Sequence, residues 1–112
     1  MRPRLLLILA ALVAAPLAAE TPLPEIAAGL PDQVAEANAA FNARVQARFA
    51  LPLAEDDLIA VLETDGFAVD RSVSFADIER RDGLCLRRYR VVWNNEGGTV
   101  DAIGGAYGLV CP

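Results

Sequence analysis

The sequence predicts an α+β domain: two N-terminal helices packed on one face of a three-stranded antiparallel meander, with one disulfide. Three observations predict it. Apolar residues recur at helical spacing from Val34 to Phe49 and again from Leu58 to Leu62. After Gly66 the period changes to alternation, and turn residues cut the alternating stretch twice. Two cysteines are present, Cys85 at the start of the middle alternating run and Cys111 just after the last one.

The elements follow in chain order. Met1-Arg2-Pro3-Arg4 is a short basic start, Leu5 to Val13 is unbroken apolar sequence, and small residues lead up to Glu20. That order predicts a secretory signal peptide, Met1 to Ala19, cut after Ala19. The apolar run is too short to span a bilayer. Removing nineteen residues from 112 leaves 93, enough for one small domain over 31–112. Residues 20–30 hold Pro22, Pro24 and Gly29 and predict an extended, flexible leader.

A first helix is expected from near Pro31, with Val34, Ala37, Phe41, Val45 and Phe49 on its buried face. Glu36, Asn42, Arg44 and Gln46 fall mostly on the other face, and Pro52 closes the stretch. The second helix opens with Glu55, Asp56 and Asp57, which the positive end of the helix dipole favours. Gly66 is placed to close it with a left-handed cap, with Phe67 packing back on Leu62.

Strands are expected at about Val73 to Arg80, Leu84 to Asn94 and Thr99 to Leu109. Asp82-Gly83 and Asn95-Glu96-Gly97-Gly98 mark the turns between them. In the middle strand Cys85, Arg87, Tyr89, Val91 and Trp93 share one face, and Leu86, Arg88, Arg90 and Val92 share the other. The helices should cover the aromatic face and leave the other free.

In an exported protein two thiols ordinarily pair, so a Cys85–Cys111 bond is expected, tying the tail to the middle strand. Closing a loop of this length stabilises by roughly 3 kcal/mol. The alanine-heavy, lysine-free composition suggests a GC-rich bacterial genome, and hence a periplasmic location.

Composition narrows function mainly by what is missing. There is no histidine, hence no histidine base or triad, and no lysine, hence no Schiff base. The paired cysteines would not serve as nucleophile or metal ligand. No phosphate loop or dinucleotide fingerprint is present, so no cofactor is expected and the chain is not expected to be an enzyme; the one catalytic alternative is a carboxylate pair of the kind that hydrolyses glycosides. Without Arg2 and Arg4, eight arginines face fifteen acids, a balance of −7 that makes nucleic acid an unsuitable partner.

Two sets of charged residues carry the remaining chemistry. Asp77, Glu79, Asp82 and Asp101 could gather at one sheet edge, or be solvated strand and turn residues. Arg80, Arg81, Arg87, Arg88 and Arg90 form the one basic concentration. Arg81, Arg87, Arg88 and Arg90 are the candidate binding residues: a docking patch for an acidic partner, or a solvated face paired to Glu79 or Asp101. Arg87 lies on the aromatic side, within reach of a ring. Trp93 and Tyr89 are expected in the core with Phe41, Phe49 and Leu62; the alternative is an exposed aromatic platform.

The acidic-start helix Glu55 to Leu62 with its Gly66-Phe67 exit, then Tyr89-Arg90-Val91-Val92-Trp93 and Gly98-Thr99-Val100, resembles a known pattern. It is similar to the small bacterial outer-membrane-assembly lipoproteins of the SmpA/OmlA type, which share their fold with the β-lactamase inhibitor proteins. The likeness runs over about Leu53 to Tyr107 and implies a non-enzymatic domain that binds an envelope protein or inhibits a hydrolase. The chain departs from the pattern in lacking the lipid-attachment cysteine, a glycine opening the second helix and a proline after its exit. No lipid anchor is therefore expected.

Overall fold

A computed structural model describes residues 21–112 of the chain. The expected signal peptide lies outside the described residues. The elements are α1 (Val34–Arg48), β1 (Leu53–Ala54), α2 (Glu55–Thr64), β2 (Ala68–Asp70), β3 (Phe75–Asp82), β4 (Cys85–Trp93), β5 (Thr99–Val100) and β6 (Ile103–Val110).

The chain is α+β with two helices, antiparallel sheets and a Cys85–Cys111 disulfide. Two details correct the expectation. The main sheet has four strands in the order β2-β3-β4-β6, and a second sheet pairs β1 with β5. The helices are not both N-terminal to the strands, because β1 precedes α2. The added strands are short: β2 has three residues and β1 and β5 two each, too few to show alternation in sequence.

The expected last strand is split. Asn94 donates its backbone N–H to Ala102 O at 3.2 Å, while its side-chain oxygen accepts from the N–H groups of Asp101 and Ala102, both at 3.0 Å. This clasp bends the chain at Asp101-Ala102, so Thr99–Val100 turns off to pair with β1.

α2 ends as its sequence requires. Gly66 has φ +100°, its N–H donates to Glu63 O, and Phe67 N–H reaches back to Leu62 O at 2.9 Å. These two bonds make a Schellman cap, and both Leu62 and Phe67 are buried in the core. Phe41, Val45, Phe49, Tyr89 and Trp93 join them, as expected; Val34, at the first turn of α1, is exposed instead. Phe41 meets Tyr89 edge-on with ring centres 5.9 Å apart.

The leader also departs from an extended path. It turns at residues 25–29, with Ala27 N–H bonded to Pro24 O, and buries Ile26 and Ala27 against the core. Arg44 fixes this turn by donating to Ala28 O at 2.6 Å.

α1 lies along β6, the edge strand. In an antiparallel ladder alternate residues turn their N–H and C=O groups away from the neighbouring strand. In β6 these are Ile103, Gly105 and Tyr107, and one stripe of α1 meets them. Asn38 and Asn42 side-chain oxygens accept from Tyr107 N–H (2.8 Å) and Gly105 N–H (3.0 Å), and Gln46 donates to Ile103 O (3.3 Å). Asn42 and Gln46, expected on the solvent face, therefore close the sheet edge. Gly105 permits the approach: a Cβ there would stand 2.8 Å from Val45 and 2.9 Å from Phe41.

Candidate functional site

The register of the β3–β4 hairpin decides where the arginines go. Gly83 and Leu84 form a two-residue turn and Asp82 pairs with Cys85. Asp77 is thereby set opposite Arg90, and Glu79 opposite Arg88. Side chains directly opposite on adjacent strands touch. Arg88 Nε donates to Glu79 at 2.9 Å. Arg90 makes a forked pair with Asp77, at 2.7 and 2.8 Å, and its guanidinium lies 3.9 Å from the centre of the Phe75 ring. The Asp77 bond raises the Arg90 pKa, so the charge is fixed.

These residues occupy the sheet face opposite Tyr89, Val91 and Trp93, as the alternation predicts. Beside the arginines, β6 presents Gly104, Ala106 and Gly108, which leave a low shelf. Val92 (40 % exposed) and Val110 (42 %) edge it. The face thus runs from carboxylates on β3 through guanidiniums on β4 to bare backbone on β6. It offers positioned hydrogen-bond donors next to apolar area.

Of the four candidate binding residues, Arg81, Arg88 and Arg90 share this face. Arg87 is on the other one, and its Nε donates to Asp82 at 3.0 Å. The four acids do not gather. Asp77 and Glu79 pair with arginines on the open face, Asp82 belongs to the covered side, and Asp101 is held by Asn94. Among the described residues, no group of three or more His, Cys, Asp or Glu side chains is placed to hold a metal ion.

Sequence reasoning missed Glu55. It reads as one of three solvated first-turn acids, but it is only 3 % exposed. Its carboxylate accepts from the Trp93 indole N–H at 2.8 Å, from Asn95 at 3.0 Å and from Arg71 at 3.4 Å. Its own N–H donates to Gly98 O at 2.9 Å. A buried carboxylate so bonded is a junction, joining α2 to the β4–β5 loop and to the chain after β2. Its neighbour Asp56 is exposed and shares Arg71 at 3.0 Å.

No protein-family model, curated protein or solved structure matches this chain. No helix among the described residues is long and apolar enough to cross a membrane.

Proposed function

We propose that this chain is an exported, non-enzymatic interaction domain that binds a protein partner in the periplasm through the open sheet face. The observation that supports the reading is the shelf of β6 beside Arg88 and Arg90. Forked donors held by carboxylates, next to exposed valines and bare backbone, are the mixture that interfaces favour. Export rests on the residue order of the N-terminus, and the absence of histidine and lysine argues against enzymatic chemistry.

A photo-crosslinker at Ala106, exposed on this face, tests the proposal in cells that make the protein. It should trap a partner that the same crosslinker at Ala60, exposed on α2, does not. Arg88→Gln with Arg90→Gln should abolish the crosslink while Trp93 fluorescence keeps its folded signature. A crosslink that survives the double substitution would mean that these arginines only solvate the face.

A second reading is favoured by one feature. Leu84 is 81 % exposed at the tip of the β3–β4 turn, and the disulfide staples the strand directly behind it. An exposed apolar side chain on a stiff tip suits entry into a hydrolase active site. Leu84→Asp should then destroy inhibition of that hydrolase and leave the Ala106 crosslink intact.

A further inference from the structure

Two Asp-Gly steps occur in the sequence, Asp65-Gly66 and Asp82-Gly83, and the fold holds them in opposite ways. We propose that Asp82 is a site of spontaneous isomerisation to isoaspartate, while the fold protects Asp65 from the same chemistry. The site is the tip of the β3–β4 hairpin and stands independently of the open-face reading.

The reaction needs no catalyst. The backbone nitrogen of Gly83 attacks Cγ of Asp82, the new N–Cγ bond closes a five-membered imide, and the amide proton and a carboxyl oxygen depart as water. Water then reopens the ring. Opening between the nitrogen and Cγ restores aspartate. Opening between the nitrogen and the old main-chain carbonyl sends the main chain through Cβ and Cγ and leaves that carbonyl as a free carboxylate. One water leaves and one returns, so composition is unchanged. Glycine favours the first step, because it has no Cβ to crowd the nitrogen and turns freely.

The two sites differ in the freedom of that nitrogen. Gly66 N–H donates to Glu63 O at 3.1 Å inside the cap of α2, and Asp65 N–H donates to Val61 O at 2.9 Å. The Asp65 carboxylate is held by Arg48 at 3.4 Å. Turning this peptide to react breaks the cap and drags the buried Phe67, next in the chain, from the core. At the hairpin the strand pairing stops at Asp82 and Cys85. Gly83 lies beyond it, exposed, with φ +64° and no hydrogen-bond partner for its N–H among the described residues. The Asp82 side chain is 48 % exposed, and Arg87 holds only one of its two oxygens. Only the turn has to move, and openings this local are among the least costly in a folded protein.

The product keeps the fold, because the disulfide ties β4 to the end of β6 directly behind the turn. Isoaspartate carries its carboxylate on Cα, one methylene shorter, and so withdraws it from Arg87. The longer main chain remodels the tip around Leu84 without cutting it.

The disulfide-bonded protein, held at neutral pH for several weeks, can be mapped with a protease that cuts before aspartate but not before isoaspartate. The uncut Arg81–Asp82 bond should accumulate at least about tenfold faster than the uncut Thr64–Asp65 bond, since only the second site is closed by the fold. In urea, with the disulfide reduced, the two rates should converge. Equal rates in the folded protein, faster change at Asp65, or no isoaspartate at residue 82 would each overturn the proposal.

Discussion

The two faces of the main sheet are built from alternate residues of the same strands, yet they obey different rules. On the covered face Tyr89, Val91 and Trp93 are buried in the hydrophobic core. On the open face Arg88 and Arg90 meet carboxylates at hydrogen-bond distance, and the neighbouring strand carries almost no side chain. One face is specified by shape and the other by charge register. Stability should therefore reside in the first and recognition in the second.

Substituting two glycines of β6 tests that division most sharply. Gly105→Val puts methyl groups where even a Cβ would stand 2.8 Å from Val45, so it should cost about 3 kcal/mol, at the upper end for overpacking. Gly108→Ala, with nothing within 4 Å of the new Cβ, should be neutral or stabilise by about 0.5 kcal/mol. Denaturant melts of the two variants measure both; a similar loss in each would erase the contrast between faces.

Glu55→Ala comes next. It strands the buried Trp93 indole N–H and should cost about 2 kcal/mol, within the usual penalty for an unsatisfied donor. It should also shift Trp93 emission, and Glu55→Gln should restore part of the loss. If urea melts of Glu55→Ala overlay the parent, the junction does not hold the loop.

The smallest expected effect is at alkaline pH. Burial raises the Tyr107 pKa above its ordinary 10.0, so the folded state holds this proton more tightly than the unfolded chain. Its contribution is complete below about pH 10 and is lost as pH rises through the folded value. Tyr107→Phe should flatten that part of the stability curve and leave neutral pH unchanged; an unaltered alkaline limb would remove Tyr107 from the account.

Which parts of this division can be read from sequence depends on the range of the determining contact. The Gly66-Phe67 cap and the two faces of β4 are local, and residues within one or two turns decide them. The open-face ion pairs are one step further. A turn at Asp82-Gly83 would set Asp77 against Arg88; the turn at Gly83-Leu84 moves each partner by two residues and sets it against Arg90. Glu55 looks like a dipole-favoured surface acid because its burial comes from Trp93 and Asn95, some forty positions away. Ile26 and Ala27 lie among prolines and carry no period, so their place in the core is invisible until the fold supplies it.

The amides of α1 have a consequence for the life of the protein in a crowded compartment. Asn38, Asn42 and Gln46 occupy three outward backbone groups of β6 that would otherwise accept a strand from another molecule. They sit on one helix and let go together. Any event that peels α1 away, whether heat, an acidic shock or a cut near Pro52, uncovers an eight-residue strand that carries three glycines and little charge. Self-association through that strand would then compete with refolding. While it stays docked, the helix closes this sheet edge to strand addition.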